Sequence, residues 1–359
     1  MAGIYVHIPF CKSRCKYCDF YSTTLLSQRA IYVKALLCEW EDYKKSNMLW
    51  HHPKTLYLGG GTPSVLEPEA IKDIIHAIEP DIDAEITLEA NPGDLNREIL
   101  RELRLIRINR LSIGIQSFHD SLLQFIGRRH AAEDAKNIVR MAKEEGFDNI
   151  SIDLIYGLPG ETMEMWKSDV AEAITLHPQH ISAYCLTYEP NTILTHLRDT
   201  GEIRETYETI LNDMFDYLCD ELSTNGYNHY EVSNFALPGY HSRHNSSYWD
   251  FTPYLGLGAA AHSFDGEKRW WNPADLQLYM EQARTHALKR ELEILDAEQH
   301  RMEQIMLRLR TSKGIDCSLV EPEKTISYLN DGFLKKSAGH YIATQRGLHI
   351  LNQIINNLV

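Results

Sequence analysis

Short runs of β-branched and aliphatic residues alternate with longer segments of helical period through the first half of the chain. The runs at 4–8, 55–58, 85–89, 111–115, 150–154 and 180–186 predict strands. Between them, Ile71, Ile74, Ile75 and Ile78 form one apolar helical stripe, Leu95, Ile99, Leu103 and Ile106 a second, and Met163, Trp166, Val170 and Ile174 a third. Six such βα units predict an α/β fold of parallel strands joined by crossover helices. Beyond about Pro273 the alternation gives way to a helical region, in which Ile305, Leu307 and Leu309 precede the polar run 310–314. The expected division is therefore a barrel-forming unit at 1–220, an extension at 221–272 and a smaller, mainly helical C-terminal domain at 273–359.

Composition narrows the class. The 359 residues carry a net charge of −14, which argues against nucleic acid as a partner, since phosphate backbones reward clustered Lys and Arg. No apolar run is long enough for a membrane helix, and the opening MAGIYVHIPFC lacks the basic and apolar regions of a secretory signal, so a cytoplasmic location is expected. Three of the seven cysteines, Cys11, Cys15 and Cys18, crowd into one short loop, which in a reducing compartment suggests metal binding. Cys38, Cys185, Cys219 and Cys317 read as buried apolar residues.

In a parallel barrel the loops after the strands converge on one face, where chemistry is assembled. Here Cys11, Cys15 and Cys18 follow the first strand, Gly59-Gly60-Gly61-Thr62-Pro63 the second, Glu89 ends the third, Gln116 follows the fourth and Asp153 lies near the end of the fifth. Three soft thiolates suit a cubane iron–sulfur cluster with one iron left open for an exchangeable ligand. Zinc is the rival, with His7 as a fourth ligand. The glycines would let backbone amides approach a ligand, or simply shape a tight turn.

Together, GIYVHIPFCKSRCKYCDF, LGGGTPS, ITLEANPG, RLSIGIQSF and IDLIYGLPGE resemble the radical S-adenosylmethionine (SAM) superfamily, in its oxygen-independent coproporphyrinogen oxidase-like branch. The resemblance implies a partial (β/α)6 barrel and a winged-helix-like C-terminal domain. It implies a [4Fe-4S] cluster on Cys11, Cys15 and Cys18, with S-adenosyl-L-methionine chelating the open iron and a reducing electron donor triggering its cleavage to a 5′-deoxyadenosyl radical. Tyr5 and Tyr17 match aromatic positions lining the cofactor; Gly60, Gly61 and Thr62 match its methionyl contacts. Glu89, Gln116, Arg128 and Asp153 match the polar residues that fix its amino, carboxylate and ribose groups.

Two kinds of protein share this branch. The oxidase, which decarboxylates porphyrinogen propionates, is expected to carry a further cysteine two positions after the third and an added segment before the first strand. Here Phe20 stands at that position and the strand starts almost at Met1. Downstream, 244–249 reads HNSSYW and resembles the HNxxYW signature of heme chaperones. A neutral His244 would ligate heme iron, Tyr248 and Trp249 would cover porphyrin faces, and Arg243 would meet a propionate. His229, His241 and His262 are rival ligands. The expectation is a heme-binding protein that hands heme to an acceptor protein. A transient membrane-surface association and a homodimer are compatible with it.

Overall fold

The computed structural model describes residues 3–46 and 48–359. All six expected strands are present: β1 (Gly3–Ile8), β2 (Thr55–Gly60), β3 (Glu85–Ala90), β4 (Arg110–Gln116), β5 (Ile150–Tyr156) and β6 (His180–Cys185). They pair in parallel and in sequence order. The strand period of two separates their faces. Val6, Ile8, Leu56, Leu58, Ile86, Leu88, Leu111 and Ile113 are fully buried against the crossover helices. Tyr5, His7, Tyr57, Thr87, Glu89, Arg110, Ser112 and Asp153 alternate with them and give the barrel a polar lumen.

The helices form where their stripes predict. All four isoleucines of the first stripe are buried on helix Pro68–Ile78. Leu103 is buried on Arg97–Leu105, with Leu95, Ile99 and Ile106 packed at the edge of the same core. Trp166 and Val170 anchor Met163–Leu176.

The sheet continues past both edges of the barrel. At one end β8 (Asn234–Ala236) pairs antiparallel with β6, and β7 (Asn228–Glu231) pairs antiparallel with β8 at the edge. At the other, β9 (Tyr254–Leu257) lies parallel to β1, and β10 (His262–Phe264), β11 (Lys268–Trp271) and β12 (Glu291–Ile294) follow antiparallel.

Two expected boundaries move. Helix Glu208–Thr224 runs unbroken through 220 and packs against Met163–Leu176, so it belongs to the barrel. Helix Leu276–Arg284 packs on Arg29–Ser46 and buries Leu276, Tyr279 and Met280 in the barrel core, while β12 pairs with β11. A separate core therefore starts not at 273 but in helix Ala297–Arg308, with Ile305, Leu309, Ile315, Tyr341, Ile354 and Leu358. This C-terminal domain adds a three-stranded antiparallel sheet, β13 (Ile315–Asp316), β14 (Leu334–Ser337) and β15 (His340–Ala343), to its helices.

The domain is stitched to the barrel beside its mouth. The Val232 amide donates to Arg310 O at 2.9 Å and the Ser312 amide to Tyr230 O at 3.0 Å, while His349 Nε2 meets Asp216 Oδ1 at 3.0 Å. Among the described residues no helix is long and apolar enough to cross a membrane.

Candidate active site at the strand C-termini

The cysteine loop is shaped by main-chain bonds. The Cys11 amide donates to Thr23 O at 2.9 Å, the Lys16 amide to Ile126 O at 3.0 Å, and Lys16 O accepts from the Leu194 amide at 2.9 Å. Lys12 and Arg129 both pair with buried Asp94, at 2.8 and 2.9 Å, and tie the loop to the third βα connection. Cys11, Cys15 and Cys18 all line one cavity of about 950 Å³ at the C-terminal ends of the strands. All three are free thiols. Thr62 Oγ1 donates to Cys11 Sγ at 3.4 Å and Arg128 Nη1 to Cys15 Sγ at 3.6 Å.

Burial pushes the Cys11 thiol up and the Cys18 thiol up to about 11. The protein alone thus keeps these sulfurs neutral, and a cationic iron centre would supply the charge that deprotonates them. Among the described residues no three His, Cys, Asp or Glu side chains gather as they would around a single ion. A cubane needs no such convergence, because each thiolate meets its own iron. His7 is not the fourth ligand of a zinc site. Its Nε2 bonds Tyr21 O at 2.9 Å, its Nδ1 bonds the Tyr5 hydroxyl at 3.0 Å, and burial lowers its pKa to about 4.

The carboxylates follow from the lumen pattern. Glu89 Oε1 accepts from the Tyr57 hydroxyl at 2.8 Å and Oε2 from the Gly60 amide at 3.1 Å. Asp153 accepts from Ser112 Oγ at 3.3 Å. Burial raises Glu89 to about 7, with the Asp153 charge adding to it, and raises Asp153 to about 6. Two buried carboxylates facing one cavity call for a cation, and SAM brings an ammonium and a sulfonium. Arg128 Nη2 donates to Gly114 O, while its buried Nε has no partner, leaving a donor for an acidic ligand group. Gln116 is buried at the β4 bulge with φ +74°, in the left-handed region. Tyr17 lines the same cavity. The thiols, carboxylates and orphaned arginine donor therefore fit a cluster and SAM side by side.

Gly60, Gly61 and Thr62 line the cavity, but two sets of expected contacts have other partners in the structure. The Gly60, Gly61 and Thr62 amides are not free for a ligand: they donate to Glu89, Ile8 O and Phe10 O. The glycines instead permit close packing, since a Cβ on Gly60 would sit 2.6 Å from the His7 ring and one on Gly61 2.8 Å from the Pro9 backbone. Tyr5 is not among the cavity-lining residues. Its ring lies deeper in the lumen, 6.2 Å from Tyr57 and 6.4 Å from His244.

The structure does not bring His244, Tyr248 and Trp249 to this cavity. Helix Arg243–Trp249 closes the opposite, N-terminal end of the barrel, where Glu85 at the start of β3 accepts the Arg243 and His244 amides at 3.0 Å each. His244 is buried beside Gly3 and stacks on Tyr57 at 5.1 Å. Its Nδ1 bonds Thr55 Oγ1 at 2.8 Å and its Nε2 the Tyr248 hydroxyl at 2.9 Å. Burial, and then the Arg110 charge, lower its pKa to about 3, so the ring is neutral but fully engaged.

Sequence reasoning missed several lumen residues: Tyr57 and Ser112, which hold Glu89 and Asp153, and Arg110. The strand period carried the signal, because each stands two residues from a named site residue or its strand neighbour. It also missed the roof. Arg310, Leu348, His349 and Ile350 of the C-terminal domain line the cavity, as do Phe20 and Tyr184 from the barrel. No local pattern announces contacts this distant in sequence.

Residues 5–173 match the model of the radical SAM superfamily. The chain is 40% identical to the heme chaperone HemW of Lactococcus lactis over 316 residues, covering 87% of this chain and 82% of that protein. It is 32% identical to HemW of Mycobacterium tuberculosis over 370 residues, covering 99% and 94%. The chain belongs to the radical SAM superfamily, in the coproporphyrinogen oxidase-like branch that includes the HemW heme chaperones. Its fold matches the crystal structure of coproporphyrinogen III oxidase (HemN) from Escherichia coli, with a TM-score of 0.84 and 23% identity, over 99% of this chain and 89% of that one.

Proposed function

We propose that the chain is a heme chaperone that binds heme and passes it to an acceptor protein, while carrying a [4Fe-4S] cluster and SAM. The observation that carries the reading is the cavity. At about 950 Å³ it stands at the upper end of the ~300–1,000 Å³ typical of small-molecule sites, and continues from the cysteines to Leu348 and Ile350 of the C-terminal domain. In this reading the cofactor occupies the cysteine end of the cavity and heme the end under Leu348 and Ile350. The relatives named as heme chaperones support the same ligand. Phe20, 64% exposed on the cavity wall, stands where the oxidase would carry its additional cysteine.

In this reading Cys11, Cys15 and Cys18 hold the cluster, Glu89 and Asp153 receive the cationic parts of SAM, and Arg128 meets its carboxylate. When bound, the cluster supplies an electron to the sulfonium. His244, Tyr248 and Trp249 lie at the opposite end of the barrel and do not line this cavity, so as heme contacts they would form a separate floor site, in which Tyr248 must release His244 Nε2. Incubating the cluster- and SAM-loaded protein anaerobically with heme or with coproporphyrinogen III tests the proposal. A saturable Soret shift with heme and no vinyl product is expected; vinyl product without specific heme binding assigns the chain to the oxidases.

A further inference from the structure

We infer that Arg110 is a positioning residue of the cofactor site: a fixed cation inside the barrel that favours the ionised forms of the buried Glu89 and Asp153 and so helps set the pH range over which SAM binds. The inference rests on the reading of those two carboxylates as SAM contacts.

Arg110 opens β4 and is 1% exposed. Its Nε and Nη1 are buried without a hydrogen-bond partner, as is the hydroxyl of Thr87, its cross-strand neighbour. A buried guanidinium with idle donors is destabilising unless its charge is used. Strand alternation puts Arg110 on the same lumen face as Ser112, which bonds Asp153, and Ser112 is the cross-strand neighbour of Glu89. By the strand register the guanidinium starts one pleat below Glu89 and two below Asp153, whose β4 partner is Gly114.

The other ionisable groups of the lumen leave it the only cation at that depth among the described residues. Tyr57 faces it from β2, Glu85 and Glu89 from β3, Asp153 from β5, His180 and Tyr184 from β6. Tyr230 comes from β7, and His244 and Tyr248 from the floor helix. Burial keeps His180 and His244 neutral, with the Arg110 charge acting in the same direction. Arg128, the other lumen cation, bonds Gly114 O and Cys15 at the rim; its charge also favours ionised Asp153, whereas of the two only Arg110 acts on Glu89. The Arg110 charge draws Glu89 and Asp153 back down against their burial.

Calorimetric SAM titrations of the cluster-loaded protein across pH test this with Arg110→Gln, Arg110→Met and Arg110→Lys. The two neutral variants should shift the pH of half-maximal affinity up by about one unit, a roughly tenfold loss near neutrality. They should recover wild-type affinity at alkaline pH, where both carboxylates ionise regardless. Arg110→Lys should follow wild type. Equal weakening at every pH, or Lys grouping with Gln and Met, overturns the inference. If Met fails to fold, Gln against Lys decides it. Wild-type protein that carries the cluster but binds no SAM sinks the underlying reading instead.

Discussion

Glu89→Gln should make the SAM-free protein more stable at alkaline pH while abolishing SAM binding. The folded-state pKa of Glu89 is raised from 4.5 to about 7, so the folded protein binds this proton more tightly than the unfolded chain does. Stability from this group is fully present below about pH 4.5 and is lost as pH rises through 7. The shift corresponds to about 3 kcal/mol at pH 8. Glutamine removes that cost. It keeps one carbonyl acceptor for the Tyr57 hydroxyl or the Gly60 amide and presents an amide group to the other, a loss of about 1 kcal/mol. The net gain is about 2 kcal/mol at pH 8 and about zero or slightly negative at pH 5, where the buried wild-type side chain is already protonated. Calorimetric melting of cluster-loaded, SAM-free protein at both pH values reads this as a rise of a few degrees at pH 8 only. A variant that melts lower than wild type at both pH values would refute the reasoning.

Other outcomes follow from the same geometry. Cys15→Ala should lose the iron–sulfur absorbance after anaerobic reconstitution, whereas Cys38→Ala, on helix Arg29–Ser46, should retain it. Gly60→Ala should lower the melting temperature by the equivalent of ~1–3 kcal/mol, because φ is +112° and the new methyl group meets a His7 ring pinned at both nitrogens. His244→Ala should cost ~3–5 kcal/mol in urea unfolding, since it opens a cavity and strands the Thr55 and Tyr248 hydroxyls. Wild-type His244, held neutral down to about pH 3, makes stability fall as pH drops below about 6.5, and the variant should lose that part of the acid-side slope. If His244 ligates heme, Tyr248→Phe should tighten heme binding in a Soret titration by freeing Nε2; unchanged binding in both variants would place heme elsewhere.

The six strands and their faces were legible because aliphatic residues at alternate positions must pack outward and the polar ones between them must share the lumen. Cys11, Glu89 and Asp153 could be gathered from sequence because they stand at or just after the C-terminal ends of those strands, which converge on one face, and because the motifs around them resemble a known family. Height within the lumen was not legible. Tyr5 and His7 share a face, yet the Tyr5 hydroxyl is taken up by His7 Nδ1 and the ring does not line the cavity. The floor helix was equally hidden, since the bond from Thr55 to His244 spans 189 positions. The domain boundary escaped because β12 exposes Glu291, Leu292 and Ile294 and owes its place to pairing with β11 rather than to a buried stripe. The glycine run showed that backbone approaches closely but not which partners it meets: the His7 ring at Gly60 and the backbone of 8–10 at Gly61.

The most direct test of the account is electron paramagnetic resonance of the reduced, reconstituted protein with and without SAM. The account predicts a [4Fe-4S] signal that changes on adding SAM in wild type, and a signal that no longer responds when Glu89 and Asp153 are both replaced by alanine. A signal indifferent to SAM in wild type would contradict it.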